Sequence, residues 1–511
     1  MQKKAQWQVR FGAASWAGEV QVLASGALLN FAFAPYRLVW VAPLMLALLY
    51  YYWQVARSTW RALLRGFLFW AGLFTAGVPW IYLTLAQFGG TSATLAVIAC
   101  ALFVGILSVY VALIGGLFAL LRRGDGFDPW LFAALWVLGE WVRGVFLTGF
   151  PWFDAGYAAS AAPLVYWAPL IGVAGLSFVL ALAGALVMEA VRGHWRGLWP
   201  LFLILVTTPV ADRLVFVHRV GQPITASLVQ GDIAPGVKWD AQDRRAVIQH
   251  YLQLSKKGDG QLVIWPETAV PGYSHELRQH FIPELGRLAR VSHRDFLFGL
   301  VEGDAYAPDT PIYNAVMSVG RHEDFYRKRH LVPFGEYLPW PNLMGPVLDM
   351  FHIPMSGFTA WSGRESPMRA GGARIGVSIC YEIAYGPLVT QDLPAANLLV
   401  NVSDDAWYGH SNEAEQQLQI GQLRAAEAGR DLLIATNDGI TARITHRGRI
   451  AARLPPFHAG VLTVVARLYT GMTPYDRMGD GGALGFAGLL ALVGLGRSRR
   501  YWRRVKGGRL F

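Results

Sequence analysis

Ile375-Gly376-Val377-Ser378-Ile379-Cys380-Tyr381-Glu382 is an apolar run that ends on a thiol and then turns polar. Short continuous apolar runs form strands buried on both faces, so residues 374–379 are expected to be a strand with Cys380 directly after it. A free thiol titrates near 8.5, about where it is mostly protonated at neutral pH, so as a nucleophile it needs a base and a nearby cation. A buried structural cysteine is the plain alternative for one thiol after one strand.

Two other segments carry the missing groups. In Leu262-Val263-Ile264-Trp265-Pro266-Glu267-Thr268 four apolar residues make a buried strand, Pro266 ends it, and Glu267 emerges at the rim. A carboxylate held against Trp265 is partly desolvated, its pKa rises, and it can serve as a general base. In Tyr326-Arg327-Lys328-Arg329-His330-Leu331-Val332-Pro333-Phe334-Gly335-Glu336-Tyr337 the cations precede a rigid Pro-Phe-Gly turn. Lys328 there can lower a neighbouring thiol's pKa and hold a developing oxyanion, with Glu336 orienting the ammonium. Taken singly, the segments are better explained as an exposed Glu after a strand and a solvated basic run.

Around them, residues 224–230, 261–265, 296–300, 398–402 and 432–436 also read as buried strands. Residues 244–255, 282–291 and 414–429 have the length and polarity of helices. This alternation predicts an α/β layer sandwich over 220–470.

The rest of the chain belongs to a membrane. Hydrophobic residues make 54% of the sequence and charged residues 15%, and residues 66–121 hold no Asp, Glu, Lys or Arg. Apolar stretches near 15–35, 38–56, 66–87, 92–121, 129–150, 162–188, 197–211 and 481–496 predict eight transmembrane helices, the first interrupted by Glu19, Gln21 and Asn30. No small-residue cleavage site follows the first, so it is expected to be retained. Basic clusters at 3–10, 57–65, 122–123, 192–196 and 497–509 bracket every second span, whereas the alternate connections near 35–38, 88–91 and 151–161 hold only one basic residue, Arg37. The positive-inside rule makes the clusters cytoplasmic and the segment after span seven extracytoplasmic. The expected organisation is a polytopic α-helical membrane domain over 1–211, a periplasmic domain over 220–470, and a last span with a basic tail over 481–511.

The net charge of +11 divides into +6 for residues 1–211, −2 for 212–480 and +7 for 481–511. The polar domain therefore offers no basic footprint for nucleic acid. With only Cys100 and Cys380, no disulfide framework is possible, and His, Cys and acidic residues show no metal-ligand spacing. No metal or cofactor is expected.

Together the Glu267, Lys328 and Cys380 segments, in that order, resemble the nitrilase superfamily, whose Glu-Lys-Cys triad sits at strand ends in an α-β-β-α sandwich. Asn401-Val402-Ser403-Asp404-Asp405-Ala406-Trp407-Tyr408-Gly409 adds a fourth matching block. Ala34-Pro35-Tyr36, Phe88-Gly89-Gly90, Leu147-Thr148-Gly149-Phe150-Pro151-Trp152, Val229-Gln230-Gly231-Asp232-Ile233 with Lys238-Trp239, and Gly471-Met472-Thr473-Pro474-Tyr475 narrow the likeness to the apolipoprotein N-acyltransferase branch. Two departures stand out: the first span is unusually polar, and Asp404-Asp405 replaces a common Asn-Asp pair. The resemblance implies Glu267 as base, Lys328 as oxyanion-stabilising cation and Cys380 as nucleophile. It assigns Trp239, Glu336, Tyr381 and Glu382 to substrate binding and support of the triad. It further implies a phospholipid acyl donor, a diacylglyceryl apolipoprotein acceptor, and a monomer in the bacterial inner membrane. A membrane-tethered nitrilase-type amidase would use the same triad, but needs only one anchor helix.

Glu140 and Arg143 lie three residues apart in span five, so they can meet on one helix face. Charges at that depth are costly, and the two readings are a structural ion pair or an Arg143 that meets a lipid phosphate.

Overall fold

The computed structural model describes residues 16–507 except 89, 123–127, 162, 239, 241, 305–306, 308–309, 341, 343–356 and 364–365. The chain divides into two compact units. Met1–Pro79, Val97–Leu214 and Met478–Phe511 form the first; Trp80–Ala96 and Val215–Arg477 form the second.

The first unit is helical: α1 (Trp16–Leu29), α2 (Val41–Gln54), α3 (Thr59–Gly77), α4 (Ala93–Leu121, its first turn counted with the second unit), α5 (Pro129–Val145), α6 (Ala168–Val191), α7 (Trp199–Arg213) and a final helix, Gly481–Gly507. Small residues let α1 and α3 touch backbone to backbone. A Cβ at Gly26 would lie 1.8 Å from the Phe69 carbonyl oxygen, and one at Gly72 would lie 2.1 Å from that of Leu23.

Helix occurs in each of the eight expected segments, but the count of eight spans is not supported. Among the described residues Ala93–Leu121, Pro129–Thr148, Pro163–Val191 and Gly481–Ser498 are long and apolar enough to cross a bilayer. A fifth arises if Thr59–Gly77 and Pro79–Gln87, bent by 58° at their junction, count as one. The reason is length. Helices α1 and α2 have 14 residues each and α7 has 15, which at about 1.5 Å per residue falls short of a hydrocarbon core of about 30 Å.

Arg143 does not take Glu140 as its ion-pair partner. Its guanidinium pairs with Asp154, donates to the Trp152 carbonyl at 2.6 Å and to the Phe150 carbonyl, and stacks over Trp70 at 4.6 Å. Glu140 accepts from Trp136 Nε1 at 2.7 Å and from the Ala155 backbone N–H at 2.8 Å. The Glu140–Arg143 ion pair read from spacing is therefore not formed; Arg143 is buried and clamps the 150–154 loop.

Among the described residues the second unit contains two six-stranded sheets. The first has the order β13 (Gly460–Ala466), β2 (Ile224–Gln230), β3 (Leu262–Ile264), β4 (Asp295–Glu302), β5 (Tyr313–Val319), β6 (Phe325–Arg327). The second runs β12 (Ile450–Arg453), β11 (Ala442–Ile444), β10 (Leu432–Thr436), β9 (Leu398–Ser403), β8 (Ala373–Ile379), β7 (Met368–Ala370). A separate pair joins β1 (Val217–Arg219) to β14 (Tyr469–Gly471). Each sheet has three parallel central strands, β2-β3-β4 and β10-β9-β8, flanked by antiparallel edges.

Parallel neighbours need a crossover, and α8 (Arg244–Ser255) and α9 (Phe281–Ser292) supply two of them while α10 (Glu413–Ala428) joins β9 to β10. Helix α9 presents Ile282, Leu285 and Ala289, spaced three and four apart, to the first sheet. Trp265 is the centre of that core, stacked on Tyr251 at 5.4 Å and donating from Nε1 to Ser255 at 2.8 Å. Strand β10 packs on β2 and β7 on β4 and β5, so the sheets face each other between outer helices, the helix-sheet-sheet-helix order expected. One segment from between two apolar helices also belongs to this unit. Trp80 donates to Gln416 Oε1 at 3.2 Å and packs edge-on against Tyr408 at 5.1 Å, and Thr84 donates to the Trp407 carbonyl at 2.9 Å.

Candidate active site

Parallel α/β sheets place reactive groups beyond the carboxyl ends of their strands. Glu267 follows β3, Lys328 follows the edge strand β6, Cys380 follows β8, and Asp404 follows β9. All four side chains are buried.

Lys328 Nζ donates to Glu336 Oε1 at 2.9 Å and to Glu267 Oε1 at 3.3 Å. Asn314, on β5, donates from Nδ2 to the same two oxygens, at 2.9 Å and 2.6 Å. The second oxygen of Glu267 accepts from the Asp404 backbone N–H at 3.1 Å. The second oxygen of Glu336 accepts from the Val332 N–H at 2.8 Å. Lys238 braces the rear: it pairs with Asp404 and donates to the Glu267 carbonyl at 2.9 Å. An ammonium has three donors, so among the described residues Lys328 has one left for a developing oxyanion after these two carboxylates.

Cys380 takes a left-handed backbone conformation, φ 51°, strained for a residue with a Cβ and found where a nucleophile must leave the line of its strand. Asn401 Nδ2 ties the turn down, donating to Ser378 Oγ at 3.0 Å and reaching the carbonyls of Ser378 and Cys380 at 3.3 Å. Glu382 does the same from the other side. It accepts from the backbone N–H of Ile379 at 2.8 Å, Arg329 at 2.7 Å and His330 at 3.1 Å, and from the Tyr326 hydroxyl at 2.9 Å.

Burial pushes the Glu267 carboxyl up, Lys328 pulls it back, and Glu336 adds to the rise. Burial alone would lower Lys328, but Glu267, Glu336 and Cys380 outweigh it and hold the ammonium above the ordinary lysine range. Burial pushes the Cys380 thiol well up, Glu267 reinforces that, and Lys328 opposes it. The expected lowering of the thiol pKa by Lys328 is thus present but overridden, because desolvation of a buried thiolate is the larger effect. The thiol rests protonated beside a fixed cation, and a base must take its proton as it attacks.

Glu267, Lys328 and Cys380 are brought within electrostatic reach of one another, with Glu336 on the ammonium and Glu382 as the brace behind the thiol. Tyr381 is held in an aromatic cluster, accepting from the Tyr385 hydroxyl at 3.2 Å with the His330 ring 5.9 Å away. Trp239 lies outside the described residues. Asn314 is a site residue that the sequence did not mark, and Lys238 stood in it only as part of a family motif with no role of its own. The detectable signal for Asn314 was the one amide in a mainly apolar strand, Tyr313–Val319.

Residues 25–186 match the family model of the apolipoprotein N-acyltransferase N-terminal domain, and residues 225–469 match that of the carbon-nitrogen hydrolases. An apolipoprotein N-acyltransferase of Nitrosomonas europaea is 39% identical over 90% of this chain and 94% of its own length. This chain belongs to the apolipoprotein N-acyltransferase family. Relatives of the same name from Methylococcus capsulatus and Shewanella oneidensis are 37% and 33% identical, over 94% and 93% of this chain and 96% and 95% of theirs. The two family models cover both kinds of architecture, so in this apolipoprotein N-acyltransferase family member the apolar helices are as much part of the family as the carbon-nitrogen hydrolase fold is.

Proposed function

We propose that this chain transfers a fatty acyl group from a phospholipid, through a thioester on Cys380, to the N-terminal amine of a diacylglyceryl apolipoprotein. The observation that carries the reading is the convergence of Glu267, Lys328 and Cys380 at strand ends of two facing sheets. Glu267 takes the thiol proton as Sγ attacks the ester carbonyl, and Lys328 holds the tetrahedral oxyanion. The C–O bond then breaks, and Glu267 returns the proton to the departing lysophospholipid oxygen. The neutral α-amine attacks the thioester, Glu267 accepts its proton, the C–S bond breaks, and the thiol is reprotonated. A thioester keeps the acyl group activated, so this ping-pong exchange requires neither ATP nor a carrier.

Membership of the family supports lipoprotein N-acylation over amide hydrolysis. A membrane-tethered amidase leaves the helical unit, which the named relatives share, without a purpose. We further read the helical unit, bounded at 1–211 and 481–511, as lying in the bacterial inner membrane, with the domain over 220–470 in the periplasm. The support is the bracketing of apolar segments by basic clusters.

Mass spectrometry of the purified full chain after exposure to phospholipid vesicles tests this. The expected result is an acyl mass on the Cys380 peptide, removable by hydroxylamine and absent in Cys380→Ala. Continuous fatty-acid release without acyl-enzyme would overturn it.

A further inference from the structure

Behind the thiol lies a second group of acids that the proposed mechanism does not use. Ser403, at the end of β9, is fully buried; its hydroxyl donates to Asp405 Oδ1, and hydrogen bonding from the Ser403 side chain lowers the Cys380 thiol against the rise that burial causes. Gln417 Nε2, on α10, donates to the same hydroxyl oxygen at 3.1 Å. Asp405 is buried and its other oxygen, Oδ2, has no hydrogen-bond partner among the described residues; it lies against Gly439, where a Cβ would come within 1.8 Å of it. Glu413 on α10 and Asp438 after β10 each also carry one buried, unpartnered oxygen. The titratable groups facing Asp405 are Asp404, Glu267, Cys380, Tyr408, Glu413 and Asp438, none of them a cation. Lys238 is committed to Asp404 and Lys328 to Glu267 and Glu336.

A hydroxyl has one proton to donate and two lone pairs to accept with. Ser403 therefore cannot donate to Asp405 and to sulfur at once. If Asp405 is ionised, the hydroxyl turns to the carboxylate and Sγ loses a donor. If Asp405 is protonated, it donates to Ser403 Oγ alongside Gln417, both lone pairs are used, and the Ser403 proton is free to point at Sγ. We propose that Asp405 is a positioning residue acting through Ser403: protonated, it directs the Ser403 hydroxyl onto Cys380 Sγ and favours the thiolate, and ionised, it withdraws that donor. No proton leaves Asp405 during turnover. Burial and the neighbouring acids raise its carboxyl to about 7, so the two states exchange near neutrality. The inference rests on Cys380 being the nucleophile.

The test is the pH dependence of Cys380 alkylation by iodoacetamide in the purified full chain in detergent, quantified on the Cys380 peptide between about pH 5.5 and 9. Wild type should show the thiol's own rise interrupted by a shallow step near neutrality. Asp405→Asn keeps a permanent donor to Ser403; it should lose the step and react roughly ten-fold faster than wild type above it, the size of one hydrogen bond to a charged group. Ser403→Ala should shrink the step to the part owed to direct repulsion between Asp405 and the thiolate and react roughly ten-fold slower below it, Ser403→Thr should restore both, and the double variant should match Ser403→Ala below the step. A step that survives in Asp405→Asn, or additive effects in the double variant, overturns the proposal. Should Asp405→Asn fail to fold, judged by near-UV circular dichroism, the Ser403→Ala and Ser403→Thr comparison makes the same decision, and a step of undiminished size in Ser403→Ala overturns it. Failure of the nucleophile assignment is read separately, as absence of an acyl mass on Cys380.

Discussion

The Glu382 carboxylate accepts the Arg329 backbone N–H at 2.7 Å, although 53 positions separate the two residues. Arg329 follows Lys328 and Glu382 sits two after Cys380, so this one contact sets the ammonium-bearing segment against the thiol-bearing turn. Glu382 meets four donors with two oxygens, which only a carboxylate can do without leaving a buried N–H unpaired.

Glu382→Gln should therefore lower kcat by roughly a hundred-fold, about 2–3 kcal/mol. Its effect on the KM for phospholipid should be smaller. A change confined to KM would place Glu382 on the substrate instead of behind the thiol.

Asn314 keeps two carboxylates apart by donating to both. Asn314→Ala removes that donor and leaves Glu267 and Glu336 to repel each other across one ammonium. Acyl-enzyme formation should slow by about ten-fold or more, and the rising limb of its pH profile should move upward, since Glu267 then holds its proton more tightly. Rapid-quench measurement of Cys380 acylation against pH reads both; an unmoved limb rejects the bridging role.

Gly299, inside β4, is packed against the turn that carries the base. A Cβ there would come within 2.3 Å of the Thr268 nitrogen and 2.7 Å of the Glu267 Cα. Backbone cannot yield as a flexible side chain does, so Gly299→Ala should destabilise the second unit by about 1–3 kcal/mol and lower acylation further than any loss of folded protein explains. Thermal unfolding alongside acylation of the folded fraction separates the two.

Asp438 illustrates a pH dependence of stability. Its carboxyl is raised to about 8, by burial first and then by Asp404 and Asp405. A raised folded-state pKa contributes stability that is fully present below the unfolded value, about 3.9, and is lost as pH rises through the folded value. The loss therefore falls between about pH 4 and 8. Asp438→Asn should leave the melting temperature near its wild-type value at pH 4 and raise it at pH 8.5, by the equivalent of about 1–2 kcal/mol. Denaturation at both pH values decides; equal shifts at both would mean the effect is packing and not charge.

All six strands read from sequence are the parallel ones, β2, β3, β4, β8, β9 and β10, and the reasons lie in their surroundings. Sandwiched on both faces, they are mainly apolar runs that local composition reveals, and Ile224–Gln230, Leu432–Thr436 and helix Arg244–Ser255 have the expected bounds. The antiparallel edges escaped because several are only three residues long and take their identity from a neighbour. Glu267, Lys328 and Cys380 were legible as strand-end residues of the right chemistry in the right order. Asn314 and the Asp405–Ser403 link were not, since each depends on which strand lies beside which. Arg143 shows a related failure: spacing along one helix pointed to Glu140, but the loop after the helix folds back to offer Asp154 and two carbonyls.

The anchorage of Trp80 on Gln416 and Tyr408 limits how this enzyme can be dissected. A fragment beginning at Val215 omits the stretch Trp80–Ala96, so it would lack the indole that caps α10 and bare an aromatic face in a place where the intact chain has none. Trimming away the helices to obtain a water-soluble catalyst thus removes a piece of the catalyst itself, and a fusion that grafts this stretch back should keep better solubility than the bare fragment.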